Sequence, residues 1–533
     1  MHRILPPTRP WPLHSAQRTR LVETDPARTL EPHTLMRRAG DAVARLTMAV
    51  APHAQRVWVA AGPGNNGGDG LEAAARLQAA GKQVQVTWLG LTDGDRRAPT
   101  DALDARDRAI AAGVQIIDRL PASSDNHDIA IDALLGIGAA RAPTGLLAAS
   151  IARLNMAGRP VVAVDLPSGL DANTGRWLGE SCVNAEHTLA LLTLKPGLFT
   201  AHGRDQAGVI WLDTLGASSE AGPDGPPHPD AWLSGAEGST SLRLHAQHKG
   251  SFGDVAVVGG ALGIAGAALL AGRAAQAAGA GRVIVEWLQD AASGAIGMDG
   301  LHPELMMRSG WSRSEPSVLS RATVVCGCGG GGALRDHLPR LLSLAGRLVL
   351  DADALNALAA DPQLMALLRT RCKRSLATVL TPHPLEAARM LGCDTATVQS
   401  NRLAAARALI DLTGCVIVLK GSGSITAAPG RTPHINGTGN GSLASGGTGD
   451  ALAGWLAGRW AQSGRQSSSA TDEIDLAFSV ASQAVADHGA AAEPCLPGAL
   501  PAGELIRRLQ HHLRHGRPTC SAAGRAGTVR DRC

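Results

Sequence analysis

The chain has 533 residues, of which 44% are hydrophobic and 18% charged, so two or three folded domains are expected and disorder throughout is excluded. Aromatic residues make up only 2%, with no tyrosine, which argues against nucleic-acid recognition by stacked aromatic side chains. The net charge of +4 comes from the end of the chain, since seven arginines and one acidic residue follow from Arg507 onward. The nearly neutral body therefore lacks a general polyanion-binding surface.

Cysteine usage and hydropathy predict a cytoplasmic protein without a membrane segment. The nine cysteines are scattered, with no CxxC pair and no histidine at zinc-finger spacing. Residues 1–20 lack the continuous apolar core of a secretory signal. The uncharged stretch Val255–Gly272 is as long as a membrane span, but its five glycines favour a strand, a glycine turn and a helix. We expect neither a membrane nor a nucleic-acid partner.

The first part of the chain alternates short β-branched runs with Ala/Leu/Arg segments of helical length. Such alternation is typical of a doubly wound parallel sheet. The predicted strands are Val57–Val59, Val84–Val86, Ile129–Ile131 and Val161–Val164.

A glycine-rich segment, Gly62–Gly70, follows the first of these strands and precedes a predicted helix, Leu71–Ala80. A strand, a glycine turn and a helix N-terminus together place backbone N–H groups where an anion can bind. The segment also contains Asn65, Asn66 and Asp69, whose polar side chains a bare turn does not need. A purely structural βα turn remains the alternative.

Two further predicted strands end in polar residues, Asp132 after Ile129–Ile131 and Ser168 shortly after Val161–Val164. Since the carboxyl ends of parallel strands converge on one crevice, Asn66, Asp132 and Ser168 offer oxygen ligands for a hard monovalent or divalent cation. Each of the three can alternatively cap the helix that follows it.

Four segments of this region, taken in order and spacing, resemble the NAD(P)HX epimerase domain family: Gly64–Gly70, Asp132–Arg141, Val164–Asp171 and Lys195–Leu198. The resemblance covers roughly residues 20–215 and implies a Rossmann-like fold. It also implies that Asn66, Asp132 and Ser168 bind potassium.

The resemblance further implies that Asp165 contacts the hydrated nicotinamide ring. We assign Asp165 as the proton-transfer group, because a carboxylate there can accept and return a proton during inversion; a helix cap is the alternative role. The remaining substrate-binding residues that the resemblance implies are Asn65, Asn66, Gly67, Gly68, Asp69, Gly136, Ile137, Gly138, Ala139, Ala140, Arg141 and Ala142.

Residues 216–241 are rich in Gly, Pro and Ser, so we predict domains at 1–218 and 242–515, a linker at 219–241 and a disordered basic tail at 516–533. The second domain repeats the α/β alternation. Its predicted strands lie near Val255–Val258, Val283–Val285, Thr323–Val325, Leu348–Leu350, Thr378–Leu380 and Val416–Leu419.

The most specific motif of the chain is Asn436–Gly441 followed by Gly446–Gly454, which contains Asp450. Glycines before a helix-opening aspartate form an anion hole of backbone amides beside a carboxylate. Phosphoryl transfer needs this arrangement, with Asp450 removing the proton from an attacking hydroxyl. The alternative is that Asp450 is only the helix N-cap.

Three other strand ends carry polar residues. Lys420–Ser424 follows a strand and either holds a nucleotide or forms a plain hairpin turn. His383 lies between two prolines that restrict the backbone and aim its side chain at a substrate, and the alternative is an ordinary surface histidine. Asp351 and Asp353 either orient magnesium or cap the next helix.

With His248–Gly253, Val258–Gly260 and Gly266–Ala268, these motifs resemble the ADP-dependent NAD(P)H-hydrate dehydratase domain of the ribokinase-like superfamily over roughly residues 242–510. One departure is Cys328, which stands where the family usually has proline. The resemblance implies that the hydrated dinucleotide is bound by Ala267, Gly329, His383 and Asp450. It implies that the adenine nucleotide is bound by Lys420, Gly421, Ser422, Gly423, Ser424 and Gly449.

Both domains in tandem resemble bifunctional NAD(P)H-hydrate repair enzymes. The implied activities are epimerisation of R- and S-NAD(P)HX and dehydration of the S epimer at the expense of ADP, which releases AMP and phosphate. Substrates are then NADHX, NADPHX and ADP, with potassium in the first domain, magnesium in the second, and a homo-oligomeric assembly. The alternative is a sugar or vitamin-precursor kinase joined to a non-catalytic Rossmann-like binding module.

Overall fold

The computed structural model describes residues 1–5, 7, 9–24, 30–91, 98–121, 127–156, 158–217, 228–235, 243–288, 298–463, 470–493 and 498–515. The chain forms two compact units. The first contains residues 1–235 and 382–437, and the second contains residues 236–381 and 438–533. The predicted basic tail, 516–533, lies outside the described residues.

Strands and helices alternate along most of the described chain. The strands are β1 His2–Arg3, β2 Trp11–Leu13, β3 Arg56–Ala61, β4 Gln83–Trp88, β5 Gln115–Ile117, β6 Ile129–Ala133, β7 Val161–Val164, β8 His187–Leu191, β9 Val209–Asp213, β10 Ala231–Ser234, β11 Asp254–Gly259, β12 Arg282–Trp287, β13 Met306–Met307, β14 Thr323–Cys326, β15 Arg347–Leu350, β16 Thr378–Leu380, β17 Val416–Leu419, β18 Ile425–Ala427 and β19 His434–Asn436. The helices are α1 Ala16–Glu23, α2 Thr34–Val50, α3 Asn65–Ala79, α4 Thr100–Ala111, α5 Gly145–Met156, α6 Gly203–Gln206, α7 Ala265–Ala277, α8 Pro316–Leu319, α9 Leu338–Leu344, α10 Asp353–Ala360, α11 Pro362–Lys373, α12 Pro384–Leu391, α13 Thr395–Ser400, α14 Arg402–Thr413, α15 Thr448–Gln462, α16 Ala470–Ala490 and α17 Ala502–His515.

The main sheet of the first unit has the strand order β1-β9-β8-β7-β6-β3-β4-β5, and its neighbouring strands are parallel except for β1 with β9. Alternate residues of β3 enter two different cores: Val57 and Val59 pack with helices α2 to α4, and Trp58 packs with α5. Because side chains of a strand alternate between faces, both faces of the sheet are covered. The predicted doubly wound parallel sheet is confirmed.

The prediction for the first helix after β3 was wrong at its start, since α3 begins at Asn65 rather than at Leu71. Gly67, Gly68 and Gly70 lie inside the helix, where close packing requires glycine. A Cβ at Gly67 would lie 1.9 Å from the Gly62 carbonyl oxygen, and one at Gly70 would lie 2.4 Å from Ala133 Cβ. These residues therefore allow α3 to approach the ends of β3 and β6.

Gly67→Ala is expected to destabilise the first unit by about 1–3 kcal/mol or more, because the added methyl group collides with backbone that cannot move aside freely. Thermal unfolding measures the effect. Gly64→Ala is the matched control, since nothing lies within 4 Å of a Cβ at Gly64. Equal melting temperatures for the two variants would contradict the packing role of Gly67.

The first unit also contains five strands in the order β17-β18-β19-β10-β2. Strand β10 lies inside the segment predicted as a linker, and it pairs parallel to β19 and antiparallel to β2. That part of the segment therefore belongs to a β-sheet and is not an unstructured linker. Apolar residues are sparse there, but Ala231 and Leu233 are fully buried, and backbone hydrogen bonds from both neighbours satisfy the strand.

The second unit contains a parallel sheet with the order β13-β12-β11-β14-β15-β16. Helices α7 and α15 pack closely, because Gly454 and Gly458 on α15 lie against the Ala271 and Ala275 carbonyls of α7. All six predicted strands of the second domain are present, one of them as β17 in the first unit. The predicted α/β class is confirmed. Of the helices in the described residues, none combines the length and the apolar composition needed to cross a bilayer.

Candidate active sites

In the first unit, hydrogen bonds join the end of β6 to the turn after β7. Ser168 Oγ donates to Asp132 Oδ1 at 2.6 Å, and the Ser168 N–H donates to Asp132 Oδ2 at 2.7 Å. Both side chains are fully buried, and this burial raises the pKa of Asp132 to about 6. The Leu135 N–H donates to Ser168 Oγ at 2.9 Å, which attaches the loop after β6 to the same cluster.

Asn66 contacts that loop from the first turn of α3. A Cβ at Gly136 would lie 3.2 Å from Asn66 Oδ1, and Asn66 Nδ2 is buried without a hydrogen-bond partner among the described residues. The loop 134–136 therefore touches all three predicted cation ligands. Carboxylate, hydroxyl and amide oxygens are donors suited to a hard cation, so the residues present fit potassium.

Asp165 follows β7 with a φ of 68°, a conformation uncommon for residues other than glycine. Its Oδ1 accepts hydrogen bonds from the Leu191 N–H at 3.2 Å and from Lys195 Nζ. Lys195 is fully buried and also donates to the Leu191 carbonyl oxygen at 2.8 Å. The carboxylate is thus held by a buried ion pair from the end of β8.

The charge of Asp165 also affects two further carboxyl groups, those of Asp69 and Glu23. Desolvation, followed by the charges of Asp165 and Glu23, raises the pKa of Asp69 well above its usual value. Desolvation and the charge of Asp165 raise the pKa of Glu23, while Lys195 lowers it. A group of carboxyls with raised pKa values around one lysine is a typical setting for proton transfer.

In the second unit, the glycine turns after β11 and β14 are bonded to each other. The Gly260 N–H donates to the Cys328 carbonyl oxygen at 3.1 Å, and the Ala261 N–H donates to that of Gly329 at 2.6 Å. Gly329 has a φ of 59°, and a Cβ there would lie 3.0 Å from Ala267 Cβ. The predicted substrate residues Ala267 and Gly329 are therefore adjacent.

Asp450 lies in the first turn of α15, together with Gly449, but it is not the N-cap. The N-cap is Gly447, which has a φ of 86° and makes no side-chain cap bond. The simple capping role for Asp450 was therefore wrong. The carboxylate instead lies near two other side chains, the Cys328 thiol and the Asp351 carboxylate.

Asp353 does not serve as the N-cap of the helix after β15 either, since Ala352 occupies that position. The Asp353 Oδ2 atom accepts a bond from the Gly331 N–H at 2.9 Å. Asp353 thus supports the glycine turn after β14, and Asp351 is the acid of this pair that lies beside Asp450.

His383 lies in the first unit and caps α12. Its Nδ1 accepts bonds from the Leu385 and Glu386 N–H groups at 3.2 and 3.3 Å, and its Nε2 lies 3.1 Å from Glu386 Oε1. The imidazole is 45% exposed. The contacts of both ring nitrogens with the start of α12 therefore determine the orientation of the imidazole, which stays partly exposed.

Residues 420–424 also lie in the first unit and connect the antiparallel strands β17 and β18, so the hairpin geometry is confirmed. The buried Arg402 donates to the Lys420 carbonyl oxygen at 3.1 Å and to Thr200 Oγ1 at 3.2 Å. Ser422 Oγ donates to the Ala201 carbonyl oxygen at 2.7 Å. The loop predicted to bind nucleotide is thus held at Lys420 and at Ser422, whose hydroxyl already makes a hydrogen bond within the protein.

Residues 32–197 match the family described as YjeF-related protein N-terminus, and residues 255–499 match the NAD(P)H-hydrate dehydratase family. A bifunctional NAD(P)H-hydrate repair enzyme of Escherichia coli is 36% identical over 437 residues, which cover 79% of this chain and 79% of the relative. The chain belongs to the bifunctional NAD(P)H-hydrate repair enzymes. A Vibrio cholerae repair enzyme is 33% identical over 469 residues, covering 85% of this chain and 90% of its own.

The solved structures similar to this repair enzyme include an ADP/ATP-dependent NAD(P)H-hydrate dehydratase of Bacillus subtilis that was co-crystallised with ATP and magnesium. It is 28% identical, covers 51% of this chain and 93% of its own, and has a TM-score of 0.40. The predicted bifunctional activity, epimerase and nucleotide-dependent dehydratase, is confirmed by the two family matches and the relatives. The alternative of a kinase with a non-catalytic module is not supported.

Sequence reasoning missed three features of these sites in the repair enzyme. Lys195 was recognised only as part of a motif, although a lysine in an otherwise apolar segment is itself a signal. Glu23 precedes the family match and carried no motif. The approach of Cys328 to Asp450 joins segments more than a hundred residues apart, and no local pattern reports such a contact.

Proposed function

We propose that residues 1–218 epimerise R- and S-NAD(P)HX at a potassium-dependent site and that residues 242–515 dehydrate the S epimer with ADP and magnesium. The observation that carries the first assignment is the buried Asp165–Lys195 pair, which lies on the same sheet edge as the Asp132–Ser168 cluster. The match at 255–499 supports including 382–437 in the second domain. A cytoplasmic location and a homo-oligomer belong to the same proposal.

In the epimerase site, Asp165 accepts a proton from the hydrated nicotinamide ring and returns it during inversion at the carbon that bears the hydroxyl. Lys195 and the Leu191 N–H hold the Asp165 carboxylate in place through its Oδ1 atom. Little reorganisation of the carboxylate is therefore needed during the proton transfer. Asn65 to Asp69 and Gly136 to Ala142 bind the dinucleotide, the former with the positive N-terminal end of α3.

Asn66, Asp132 and Ser168 hold potassium in this proposal. The ion supplies a positive charge that offsets the buried Asp132 carboxylate and the substrate phosphates. The Ser168 hydroxyl and N–H groups orient that carboxylate through the bonds described above.

In the dehydratase site, Asp450 removes the proton from the substrate hydroxyl, and the oxygen of that hydroxyl attacks the terminal phosphorus of ADP. The phosphorus–oxygen bond to AMP breaks, and the phosphorylated hydrate then loses phosphate together with a proton from the adjacent ring carbon, which restores the double bond of NAD(P)H. The amides of Gly446–Gly449 lie at the start of α15, where they stabilise charge on the transferred group. Lys420–Ser424 bind the nucleotide, and Ala267, Gly329 and His383 contact the hydrate.

Magnesium fits this site through oxygen atoms only. Asp351 and Asp450 offer carboxylates of the kind that magnesium binds together with nucleotide phosphates, so these two residues would hold it. The neighbouring Cys328 thiol is not a magnesium ligand, because magnesium prefers oxygen donors.

Asp132→Ala and Ser168→Ala are expected to raise the potassium concentration needed for half-maximal epimerisation by about 10- to 100-fold, since each removes an oxygen donor or its partner. Epimerisation is followed as ADP-dependent consumption of R-NADHX, which the variant's own intact dehydratase activity converts once the S epimer has formed. Dehydration of pure S epimer by the variants themselves is the control and should be intact. The cation assignment is wrong if the wild-type enzyme epimerises equally fast when a bulky organic cation replaces potassium.

A further inference from the structure

Three side chains from three separate elements of the second unit meet beside the start of α15. Cys328 belongs to the glycine turn after β14, Asp351 directly follows β15, and Asp450 lies in the first turn of α15. The thiol sulfur and one oxygen of each carboxylate all lie within 4.8 Å of one another. Cys328 and Asp351 are buried, and Asp450 is half-buried, so the cluster is reached from the side of Asp450.

The cluster has nearly the dimensions of a zinc site. Zinc binds cysteine sulfur at about 2.3 Å and carboxylate oxygen at about 2.0–2.2 Å in tetrahedral geometry, which places its ligand atoms roughly 3.3–3.7 Å apart. The 4.8 Å limit exceeds these separations by about 1 Å, a difference that side-chain rotation would have to close on metal binding. Three protein ligands leave a fourth position for water or for a substrate oxygen.

The backbone that carries these ligands is held in place by hydrogen bonds. The Asp351 N–H donates to the Cys326 carbonyl oxygen at 3.1 Å, and the Cys328 carbonyl oxygen accepts the Gly260 N–H at 3.1 Å. A cation of charge +2 would also offset the charges of the two carboxylates and of the thiolate that forms when Cys328 loses its proton to bind the metal. The thiolate makes the set selective for a thiophilic ion over magnesium.

We propose that Cys328, Asp351 and Asp450 form a binding site for zinc or a similar thiophilic divalent ion, and that occupation of this site inhibits dehydration. The inhibitory part rests on the proposed function, because a thiophilic ion bound here would displace magnesium from Asp351 and Asp450 and tie the Asp450 carboxylate to Cys328. The binding part is independent of that function.

Cobalt(II) is the probe for binding, because a tetrahedral cobalt–thiolate site absorbs in both the visible and the near-ultraviolet region. We expect the full-length enzyme to develop these bands on addition of cobalt(II), and zinc to displace them. Cys328→Ala should lose the near-ultraviolet thiolate band, whereas Cys393→Ala, which alters an exposed cysteine, should retain it. Asp351→Asn provides a second variant that weakens binding and keeps the thiol. Absence of the band in the wild-type enzyme, or its full retention in Cys328→Ala, would overturn the site.

Inhibition is measured with pure S-NADHX, ADP and excess magnesium, at free zinc concentrations set by a metal buffer. The concentration of zinc that halves the wild-type rate should rise about tenfold or more in Cys328→Ala, with each enzyme compared with its own zinc-free rate. A chelator should restore the wild-type rate, and epimerisation in the same buffers should not change.

The two parts of the proposal fail in different ways. Zinc that displaces cobalt but leaves the dehydration rate unchanged would overturn the inhibitory part alone. Equal inhibition of wild type, Cys328→Ala and Asp351→Asn would place the inhibitory ion elsewhere and would also overturn the inhibitory part. The role of Asp450 is tested separately by its own substitution.

Discussion

Dehydration of S-NAD(P)HX is expected to fall by about 10² to 10⁴ in Asp450→Asn, the usual range for loss of a positioned general base. The amide keeps the size and one oxygen of the side chain but cannot take the proton of the substrate hydroxyl. Folding should change little, because the helix start depends on Gly447 as N-cap and not on Asp450. The rate is measured as recovery of reduced-nicotinamide absorbance from pure S epimer and ADP.

Epimerisation by Asp450→Asn should continue, because Asp165 and the proposed cation ligands belong to the other proposed domain. Asp336→Asn is the matched control, since it alters an exposed aspartate of the second unit. A variant that dehydrates the S epimer at the wild-type rate would contradict the phosphoryl-transfer mechanism. One that also loses epimerisation would contradict the independence of the two sites.

Lys195→Met is expected to lower epimerisation by about 10²-fold, the effect of a small displacement of a reacting group. Methionine keeps an unbranched apolar chain but leaves the buried Asp165 carboxylate without its cation. Removal of one partner from a buried ion pair costs about 3–5 kcal/mol, so the melting temperature of the variant should also fall. Dehydration of S epimer supplied directly should be intact if the second domain remains folded.

The double variant Lys195→Met with Asp165→Asn separates positioning from stability. Without the carboxylate charge there is no unpaired buried ion, so much of the lost stability should return. Epimerisation should not return, since the proton acceptor is gone. Recovery of epimerisation in the double variant would contradict the role of Asp165, and equal activity of Lys195→Met and wild type would contradict the positioning role of Lys195.

Local patterns in the sequence were enough to determine the α/β class, the four strands predicted in the first region, the six predicted in the second and the motif around Asp450. Runs such as Val161–Val164 bury both faces of a parallel strand and are therefore apolar without interruption. The ends of these strands indicated Asp132 and Ser168 as candidate ligands, because the carboxyl edge of a parallel sheet collects polar residues. Signals of this kind extend over about ten residues and can be recognised without the fold.

Only the tertiary structure decided the start of α3, the strand inside the predicted linker and the partners of the buried charges. Gly67, Gly68 and Gly70 resemble a loop in sequence, yet they lie in a helix that packs tightly against β6 and α2. Lys195 reaches Asp165 over 30 residues, and Asp351 reaches Asp450 over about a hundred. Burial and long-range contact determine such pairs, and both arise only when the sheet assembles, so neither propensity nor spacing along the chain reports them.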